Sequence, residues 1–299
     1  MTTYAKPFAV VTGASSGIGY ELAREFAEHG FDLLVNAEDG HLAEAADRLR
    51  AAGAAVTDVH ADLRTGHGVE VLWAAIAATG RPVTAAALNA GVGRGGAFVD
   101  TDLDDELEII DVNISATVRL AKHLLRDMTA RDEGRVLITS SIAATMPGPF
   151  QAVYNASKSF LQSFAQALQN ELKDTGVTVT ALVPGPTETD FFRRADMTDT
   201  RLGRQDKDDP ARVARQGFEA LMAGKDKITA GSLRTRAQAA ADKVLPDSAK
   251  AELHRRMAEP GSGGGGPGGG PPPPPPAPPP PPHPPPPRAA PPPPTPPNA

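Results

Sequence analysis

A tyrosine and a lysine four positions apart are the residues of this chain best suited to proton transfer. Tyr154 and Lys158 fall within a helical pattern, so their spacing places both side chains on one helical face. A phenol with a pKa of about 10 is a poor base at neutral pH, but a neighbouring ammonium group stabilises the phenolate and lowers that pKa. Tyr154 could then exchange a proton with an alcohol or carbonyl oxygen, to which Ser141 could donate a hydrogen bond. The alternative interpretation is an ordinary amphipathic helix surface.

A glycine-rich turn, from Thr12 to Gly19, follows the first predicted strand and opens a helix. Gly13 permits the tight turn, Gly17 lets the backbone approach a pyrophosphate, and Gly19 lets the helix pack closely against the strand. Backbone N–H groups and the positive end of the helix attract phosphates. The pattern predicts a dinucleotide site, although a similar turn can simply connect a strand to a helix. The predicted ligands are Gly13, Ser15, Ser16, Gly17, Ile18 and Gly19.

An acidic residue at the end of the second predicted strand bears on the choice between NAD and NADP. Glu38 follows Gly19 at about the 20-residue spacing of a carboxylate that accepts from the adenosine ribose. No lysine or arginine lies between Arg24 and Arg48 to bind a 2′-phosphate. The local charge therefore favours NAD. Alternatively, Glu38 and Asp39 only begin the next helix, where acidic residues suit the helix dipole.

Short apolar runs alternate with helical patterns along the chain. They predict strands at 8–12, 31–36, 55–60, 83–88, 134–140, 177–183 and 227–230, with long helices at 103–128 and 152–173. Such alternation predicts a single α/β domain with a doubly wound, Rossmann-like parallel sheet and helices on both faces. Ligands bind at the carboxyl ends of such strands, so the residues singled out above should converge at one edge. Residues 187–209 are polar and irregular.

Composition excludes several other functions. The chain has no cysteine, which excludes disulfides and thiolate metal sites, and its seven histidines lack the spacing of metal ligands. A net charge of −6 argues against a nucleic-acid surface. No apolar run is long enough to span a bilayer. These features predict a soluble cytoplasmic protein without a metal or a membrane partner.

Proline divides the chain into two parts. Of its 31 prolines, all but eight lie after Glu259. We expect a folded domain over 1–259 and a disordered Gly/Pro-rich tail over 260–299, because the tail has little apolar surface to bury. The tail is a candidate ligand for a polyproline-recognising partner, or a product of low-complexity drift. A chain ending at Glu259 is expected to fold and to keep its activity.

Together these motifs resemble the short-chain dehydrogenase/reductase family, in its single-domain branch of about 250 residues. The resemblance covers roughly residues 7–230. Its motifs are the glycine turn, an aspartate followed by leucine, an Asn-Ala-Gly turn, a helix asparagine, a serine, the Tyr-x-x-x-Lys pair and a Pro-Gly turn. In this chain they are Thr12–Gly19, Asp62 and Leu63, Asn89, Ala90 and Gly91, Asn113, Ser141, Tyr154 and Lys158, and Pro184, Gly185, Thr187 and Thr189.

The resemblance implies roles for these residues. Tyr154 resembles the acid/base; Lys158 would hold the nicotinamide ribose and lower the tyrosine pKa. Ser141 would orient the substrate oxygen, and Asn113 would hold a water in a proton relay. Hydride would pass between NAD or NADP and a substrate carbon without a metal. The other implied cofactor contacts are Asp62, Leu63, Asn89, Ala90, Gly91, Pro184, Gly185, Thr187 and Thr189.

The implied substrate is a secondary alcohol or a ketone. Its pocket is expected to be apolar, although Phe191 and Phe192 could instead only anchor a lid. The family resemblance also implies a homodimer or homotetramer through the two long helices, where Phe160, Phe164 and Leu168 would meet a partner copy unless they pack on the sheet. The rival functions are a sugar-nucleotide epimerase or dehydratase and a non-catalytic dinucleotide sensor. The expected pocket residues are Phe98, Met146, Phe150, Phe191, Phe192 and Met197.

Overall fold

The computed structural model describes residues 6–241 and 245–264, and the predicted tail beyond 264 lies outside the described residues. Seven strands form one sheet in the order β3-β2-β1-β4-β5-β6-β7, and every neighbouring pair is parallel. All seven lie close to the predicted positions. The strands are β1 Phe8–Thr12, β2 Asp32–Ala37, β3 Val56–His60, β4 Ala85–Leu88, β5 Gly134–Thr139, β6 Val177–Pro184 and β7 Lys227–Ala230.

Helices cover both faces of the sheet, which confirms the predicted doubly wound fold. The helices are α1 Gly17–Glu28, α2 Leu42–Ala51, α3 Gly66–Ala78, α4 Leu103–Ile109, α5 Thr117–Arg131, α6 Ala152–Glu171, α7 Phe191–Arg194, α8 Arg201–Arg204, α9 Pro210–Met222, α10 Leu233–Ala241 and α11 Asp247–Ala258. One face of the sheet packs against α3, α5 and α6 through Leu72, Leu124 and Leu161; the other packs against α1, α2 and α9. The chain order reverses between β1 and β4, which opens a crevice at the carboxyl ends of these strands.

The helix predicted over 103–128 is not continuous, so that prediction was wrong in detail. A π-helical segment, Ile110–Ala116, separates α4 from α5. Such segments are rare and are frequently found at functional sites. Asn113, one of the predicted site residues, lies in the middle of this segment and is fully buried.

The polar stretch after β6 contains the two short helices α7 and α8, which sequence patterns did not predict. Phe192, Ala195 and Met197 from this stretch form a small apolar cluster with Ala258 of α11. Residues just beyond α11 also contact the stretch after β6: the N–H of Gly261 donates to Asp199 Oδ2 at 2.7 Å. We call residues 191–204 the lid.

Two truncated chains are expected to differ in stability. A chain ending at Gly264 keeps the hydrogen bonds from residues 261–263 to Asp199, Arg201 and Arg204. A chain ending at Glu259 loses them, which should lower the free energy of unfolding by about 1–3 kcal/mol. Melting temperature and steady-state rates test this against the full chain. Equal melting temperatures would show that these bonds contribute nothing, and a lower rate for the chain ending at Gly264 would show that the tail assists catalysis.

Candidate active site

A cleft of about 560 Å³ opens at the carboxyl ends of the strands. Every predicted site residue except Asn113 lines it, from the glycine turn at one end to Tyr154 at the other. Six loops contribute to this lining because the parallel strands all end at the same edge. The predicted residues found there are Gly13, Ser15, Ser16, Gly17, Ile18, Gly19, Glu38, Asp62, Leu63, Asn89, Ala90, Gly91, Ser141, Tyr154, Lys158, Pro184, Gly185, Thr187 and Thr189.

Helix α6 presents Tyr154 and Lys158 to the cleft on one face, as their spacing predicted. The Tyr154 hydroxyl is hydrogen bonded to the Ser141 side chain, and Ser141 lies two residues beyond the end of β5 at Thr139. Lys158 is buried; its Nζ donates to the Thr139 carbonyl oxygen at 3.1 Å and lies 5.7 Å from the centre of the Tyr154 ring. The three side chains therefore meet at one point of the cleft.

The pKa of Tyr154 differs from the sequence-based expectation. Burial of the hydroxyl raises its pKa to about 12, and the hydrogen bond with Ser141 offsets only part of that effect. Burial also lowers the pKa of Lys158 to about 8. The lowering of the tyrosine pKa that the resemblance implies for Lys158 is not found here, because desolvation by burial dominates. At neutral pH Tyr154 holds its proton and is set up as a proton donor.

The raised pKa of Tyr154 can be measured. The chain has three tyrosines, and the difference in ultraviolet tyrosinate absorbance between wild type and Tyr154→Phe isolates one of them. Because burial raises the pKa of Tyr154 to about 12, this difference should appear only well above the ordinary tyrosine pKa of about 10. A midpoint at or below the ordinary value would show that Lys158 dominates after all.

Asn113 lies behind the cleft wall, and its side chain is fully hydrogen bonded. Its Oδ1 accepts from the N–H of Val92 at 2.9 Å; its Nδ2 donates to the Val92 carbonyl at 3.0 Å and to Ser157 Oγ at 2.9 Å. A Cβ added to Gly91 would lie 3.2 Å from Asn113 Oδ1 and 3.1 Å from Lys158 Nζ. Asn113 thereby ties the segment after β4 to α6. Its expected role in a water relay stays a prediction.

The glycine turn is shaped so that only glycine fits. A Cβ on Gly19 would lie 2.0 Å from the Gly13 carbonyl oxygen, and one on Gly17, where φ is +56°, would lie 2.8 Å from Thr189 Cγ2. Sequence reasoning gave Thr12 no role of its own, yet its hydroxyl oxygen accepts from the N–H groups of Asn89 and Ala90 at 3.0 Å each. This contact joins the ends of β1 and β4 beneath the turn. The result is a backbone-lined cradle of the kind that holds a diphosphate.

Two arginines from distant parts of the chain contact Glu38 and Asp39, the acidic residues that line the cleft after β2. Arg64 NH2 lies 2.8 Å from Glu38 Oε2, and Arg194 NH2 lies 3.5 Å from Asp39 Oδ2. Asp39 also accepts from Ser15 Oγ at 2.7 Å. The sequence analysis found no cation near Glu38 because both arginines are distant in the chain and approach the acidic residues only in the folded structure. The absence of local cations is therefore a weaker argument for NAD than the sequence implied.

The cleft is lined by apolar side chains near Tyr154 and also by apolar and polar residues that the sequence analysis missed. Met146, Phe191 and Phe192 line the cleft as predicted, and the rings of Tyr154 and Phe191 lie 5.1 Å apart. Three residues predicted to line the pocket do not line it. Phe98 is 57% exposed, and Phe150 and Met197 pack in the apolar cluster formed around Phe192. Several of the missed lining residues follow β6, where no local motif marks them. They include Leu202, Gln205, Arg234, Leu245, Leu253, His254 and Met257.

His254 fastens α11 to the wall of the cleft. It is 7% exposed, and its Nδ1 lies 3.0 Å from the Pro149 carbonyl oxygen. Burial lowers the pKa of this histidine, so the neutral ring is favoured. Phe150, which follows Pro149 in the chain, has a φ of +65°, and its carbonyl oxygen accepts from the N–H of Gly96 at 3.0 Å. Helix α11 therefore supports the loop that leads into α6.

Within residues 6–241 and 245–264, no group of three or more histidine, aspartate or glutamate side chains is arranged to hold a metal ion. In the same ranges, no helix combines the length and apolar character that crossing a bilayer requires.

Comparison with known proteins agrees with this geometry. The sequence profile described as "short chain dehydrogenase" matches residues 7–199. The oxidoreductase UcpA of Salmonella typhimurium is 31% identical over 214 residues, covering 71% of this chain and 79% of the relative. A short-chain dehydrogenase/reductase from Burkholderia phymatum, solved with NAD, superposes with a TM-score of 0.72 at 28% identity over 87% of this chain and 99% of that one. A short-chain dehydrogenase from Sphingobium yanoikuyae, solved with NADPH, gives 0.68 at 26% identity over 79% of this chain and 94% of that one. The chain is a member of the short-chain dehydrogenase family.

Proposed function

We propose that this protein is an NAD(P)-dependent oxidoreductase that interconverts a secondary alcohol and a ketone. The observation that carries the proposal is that one cleft holds both the diphosphate cradle at Gly13–Gly19 and the group formed by Ser141, Tyr154 and Lys158. Two similar proteins were solved with NAD and with NADPH. A dinucleotide spanning the cleft would place its nicotinamide at the tyrosine end.

The residues of the cleft fit such a cofactor. The glycine turn offers backbone N–H groups and space for phosphates, and a Cβ at Gly17 or Gly19 would fill that space. Thr187 and Thr189 line the opposite wall near the Pro184-Gly185 turn. The nicotinamide, when bound, accepts or supplies the hydride. No residue of the protein has to carry electrons.

The protein's own part in the reaction is to position the substrate oxygen and to move its proton. In ketone reduction, Tyr154 donates its phenolic proton to the carbonyl oxygen as that oxygen gains negative charge. Ser141 donates a second hydrogen bond to the same oxygen. The resulting phenolate would be stabilised by the Lys158 ammonium group, whose Nζ lies 5.7 Å from the centre of the ring. Alcohol oxidation runs the same steps in reverse and needs the phenolate at the start.

We further propose that NAD(H) is preferred to NADP(H). Glu38 lines the cleft where the adenosine ribose would bind, and its carboxylate would accept from a 2′-hydroxyl and repel a 2′-phosphate. Arg64 and Arg194 reduce the net negative charge of this end, so the preference is expected to be moderate.

The two rival functions are weaker. A sugar-nucleotide epimerase or dehydratase usually carries a larger C-terminal substrate domain, whereas the described residues after Pro186 form five helices and the last strand of the same sheet. A dinucleotide sensor would have no need for Tyr154, Lys158 and Ser141 together. Their contact around one point therefore favours catalysis.

The test starts with binding and then measures turnover. Titration calorimetry with NADH and NADPH measures binding, and loss of NADH absorbance with a panel of apolar ketones measures reduction. Tight binding with ketone reduction supports the proposal. Binding without turnover of any ketone or alcohol favours the sensor, and the absence of binding would contradict the whole proposal.

We also propose that the protein forms a homo-oligomer, through interface residues that differ in part from those predicted from the sequence. Phe160 is 41% exposed, whereas Phe164 and Leu168 pack against the core, so only the first stays a candidate contact. Leu103 and Leu107 of α4 are 64% and 44% exposed. Exposed apolar side chains on the neighbouring helices α4 and α6 favour burial against a second copy. Light scattering with gel filtration measures the state.

A further inference from the structure

Arg64 bridges the acidic residues at the adenosine end of the cleft. Its NH2 lies 2.8 Å from Glu38 Oε2, its Nε lies 2.9 Å from Asp62 Oδ1, and its NH1 lies 3.8 Å from Glu108 Oε1. Of these three carboxylates, those of Glu38 and Asp62 belong to residues that line the cleft. One guanidinium group therefore holds two of the residues expected to meet adenosine.

The strength of this arrangement comes from its hydrogen bonds. The hydrogen bond from Arg64 lowers the pKa of Asp62, and the same contact raises the pKa of Arg64, so both groups stay charged at neutral pH. A guanidinium group matches a phosphate as well as it matches a carboxylate, because both present two oxygens to its planar donors. Arg64 could therefore exchange its Glu38 partner for a phosphate without moving far.

A 2′-phosphate would bring its charge to the place where Glu38 now lies. Glu38 repels such a group, but Arg64 directly beside it attracts the same group. The balance between them, rather than the carboxylate alone, then determines how strongly NADP is excluded.

We propose that Arg64 sets the discrimination between NAD and NADP: it orients Glu38 toward the ribose, and it becomes a 2′-phosphate ligand when that carboxylate is absent. The inference rests on the proposed function, since it assumes that a dinucleotide occupies the cleft. It assigns to Arg64 a specificity role that no motif in the sequence indicated.

Arg194 is a second cation at this end but is held differently. Its nearest acidic group is Asp39 at 3.5 Å, and Asp39 is already bound by Ser15 at 2.7 Å. Neither Glu38 nor Arg64 is part of this pair, so substitutions there should leave it in place. Arg194 is therefore expected to contribute equally to every variant compared.

The experiment is a double-mutant cycle read by binding. Dissociation constants for NADH and NADPH are measured by calorimetry on the full chain as wild type, Glu38→Gln, Arg64→Gln and the double variant. Glu38→Gln should bind NADPH about 10-fold more tightly than wild type, which is the size of one charge-assisted hydrogen bond. The double variant should lose that gain. Arg64→Gln alone should weaken NADPH binding more than NADH binding.

Arg50→Gln is the matched control. Arg50 bridges Asp47 and Asp58 in a similar exposed ion-pair group near the start of β3, whereas Arg64 follows its end. It should leave both dissociation constants unchanged. Melting curves show whether each variant folds, and the ³¹P resonance of the bound 2′-phosphate should shift in Glu38→Gln but not in the double variant.

Two results would overturn the inference and are distinguishable from each other. If Glu38→Gln and the double variant gain NADPH affinity equally, Arg64 does not bind the phosphate, although the proposed function stands. If wild type binds neither dinucleotide, the proposed function fails and the inference fails with it. If a variant does not fold, the ³¹P comparison and the single Arg64→Gln variant decide the question on the remaining proteins.

Discussion

Tyr154→Phe is expected to lower kcat for ketone reduction by about 10²- to 10⁴-fold, the contribution of a positioned general acid. The substitution removes only the phenolic oxygen, so the ring keeps its contact with Phe191 at 5.1 Å between centres. Without the phenol, the developing negative charge on the substrate oxygen has no proton donor at that position. The dissociation constant for NADH should change little, because the tyrosine end of the cleft is not where the phosphates bind.

Steady-state rates and calorimetry on the same preparation test this prediction. Tyr20→Phe is the matched control, since Tyr20 lies on α1 outside the residues that line the cleft and its ring faces Arg48 at 4.7 Å. That variant should keep the wild-type rate. A Tyr154→Phe enzyme with nearly full activity would contradict the mechanism proposed here.

Gly19→Ala is expected to abolish useful dinucleotide binding, raising the dissociation constant by at least about 100-fold, or 2.7 kcal/mol. The new Cβ would lie 2.0 Å from the Gly13 carbonyl oxygen and 2.6 Å from Asn89 Nδ2. The backbone of the turn must move to relieve the first contact, and this movement destroys the cradle for the phosphates. Overpacking of this kind also costs about 1–3 kcal/mol of folding stability.

Gly40→Ala serves as the control because it makes the same chemical change in an open position. A Cβ there meets no atom within 4 Å, and the backbone is not in the left-handed region. Its binding constant should match wild type, with an equal or slightly higher melting temperature. Normal NADH binding by a folded Gly19→Ala protein would show that the glycine turn is not the phosphate site.

The sheet could be predicted from sequence because its information is local. Buried parallel strands are short apolar runs, and β1 and β7 were predicted to the residue. The site residues converge for a topological reason: parallel strands that end at one edge bring Gly13, Asn89 and Ser141 together whatever the intervening helices do. The Tyr154–Lys158 pair needs only helical spacing.

What the sequence could not provide depends on contacts between distant segments. Arg64 meets Glu38 only because β2 and β3 are neighbours in the sheet, and Arg194 meets Asp39 only after the lid folds over the cleft. The pKa of Tyr154 depends on how much protein surrounds its hydroxyl, which a Tyr-x-x-x-Lys pattern does not record. Nothing in the sequence distinguishes His254 from a histidine on a surface helix; its contact with the Pro149 carbonyl oxygen depends on how α11 packs in the folded protein.

The π-helical segment at Ile110–Ala116 makes the effect of a deletion depend on where it falls. A π-helical turn takes up about one more residue than an α-helical turn, whereas one residue corresponds to about 100° of rotation in an α-helix. Deleting one residue within the segment should therefore restore a continuous α-helix and leave the buried faces of α4 and α5 nearly in place. It would still move the side chains inside the segment, so Asn113 should lose its contacts with Val92 and Ser157. The same deletion in the middle of α5 should instead rotate one half of that helix and turn core leucines such as Leu124 outward, at a much larger cost in stability.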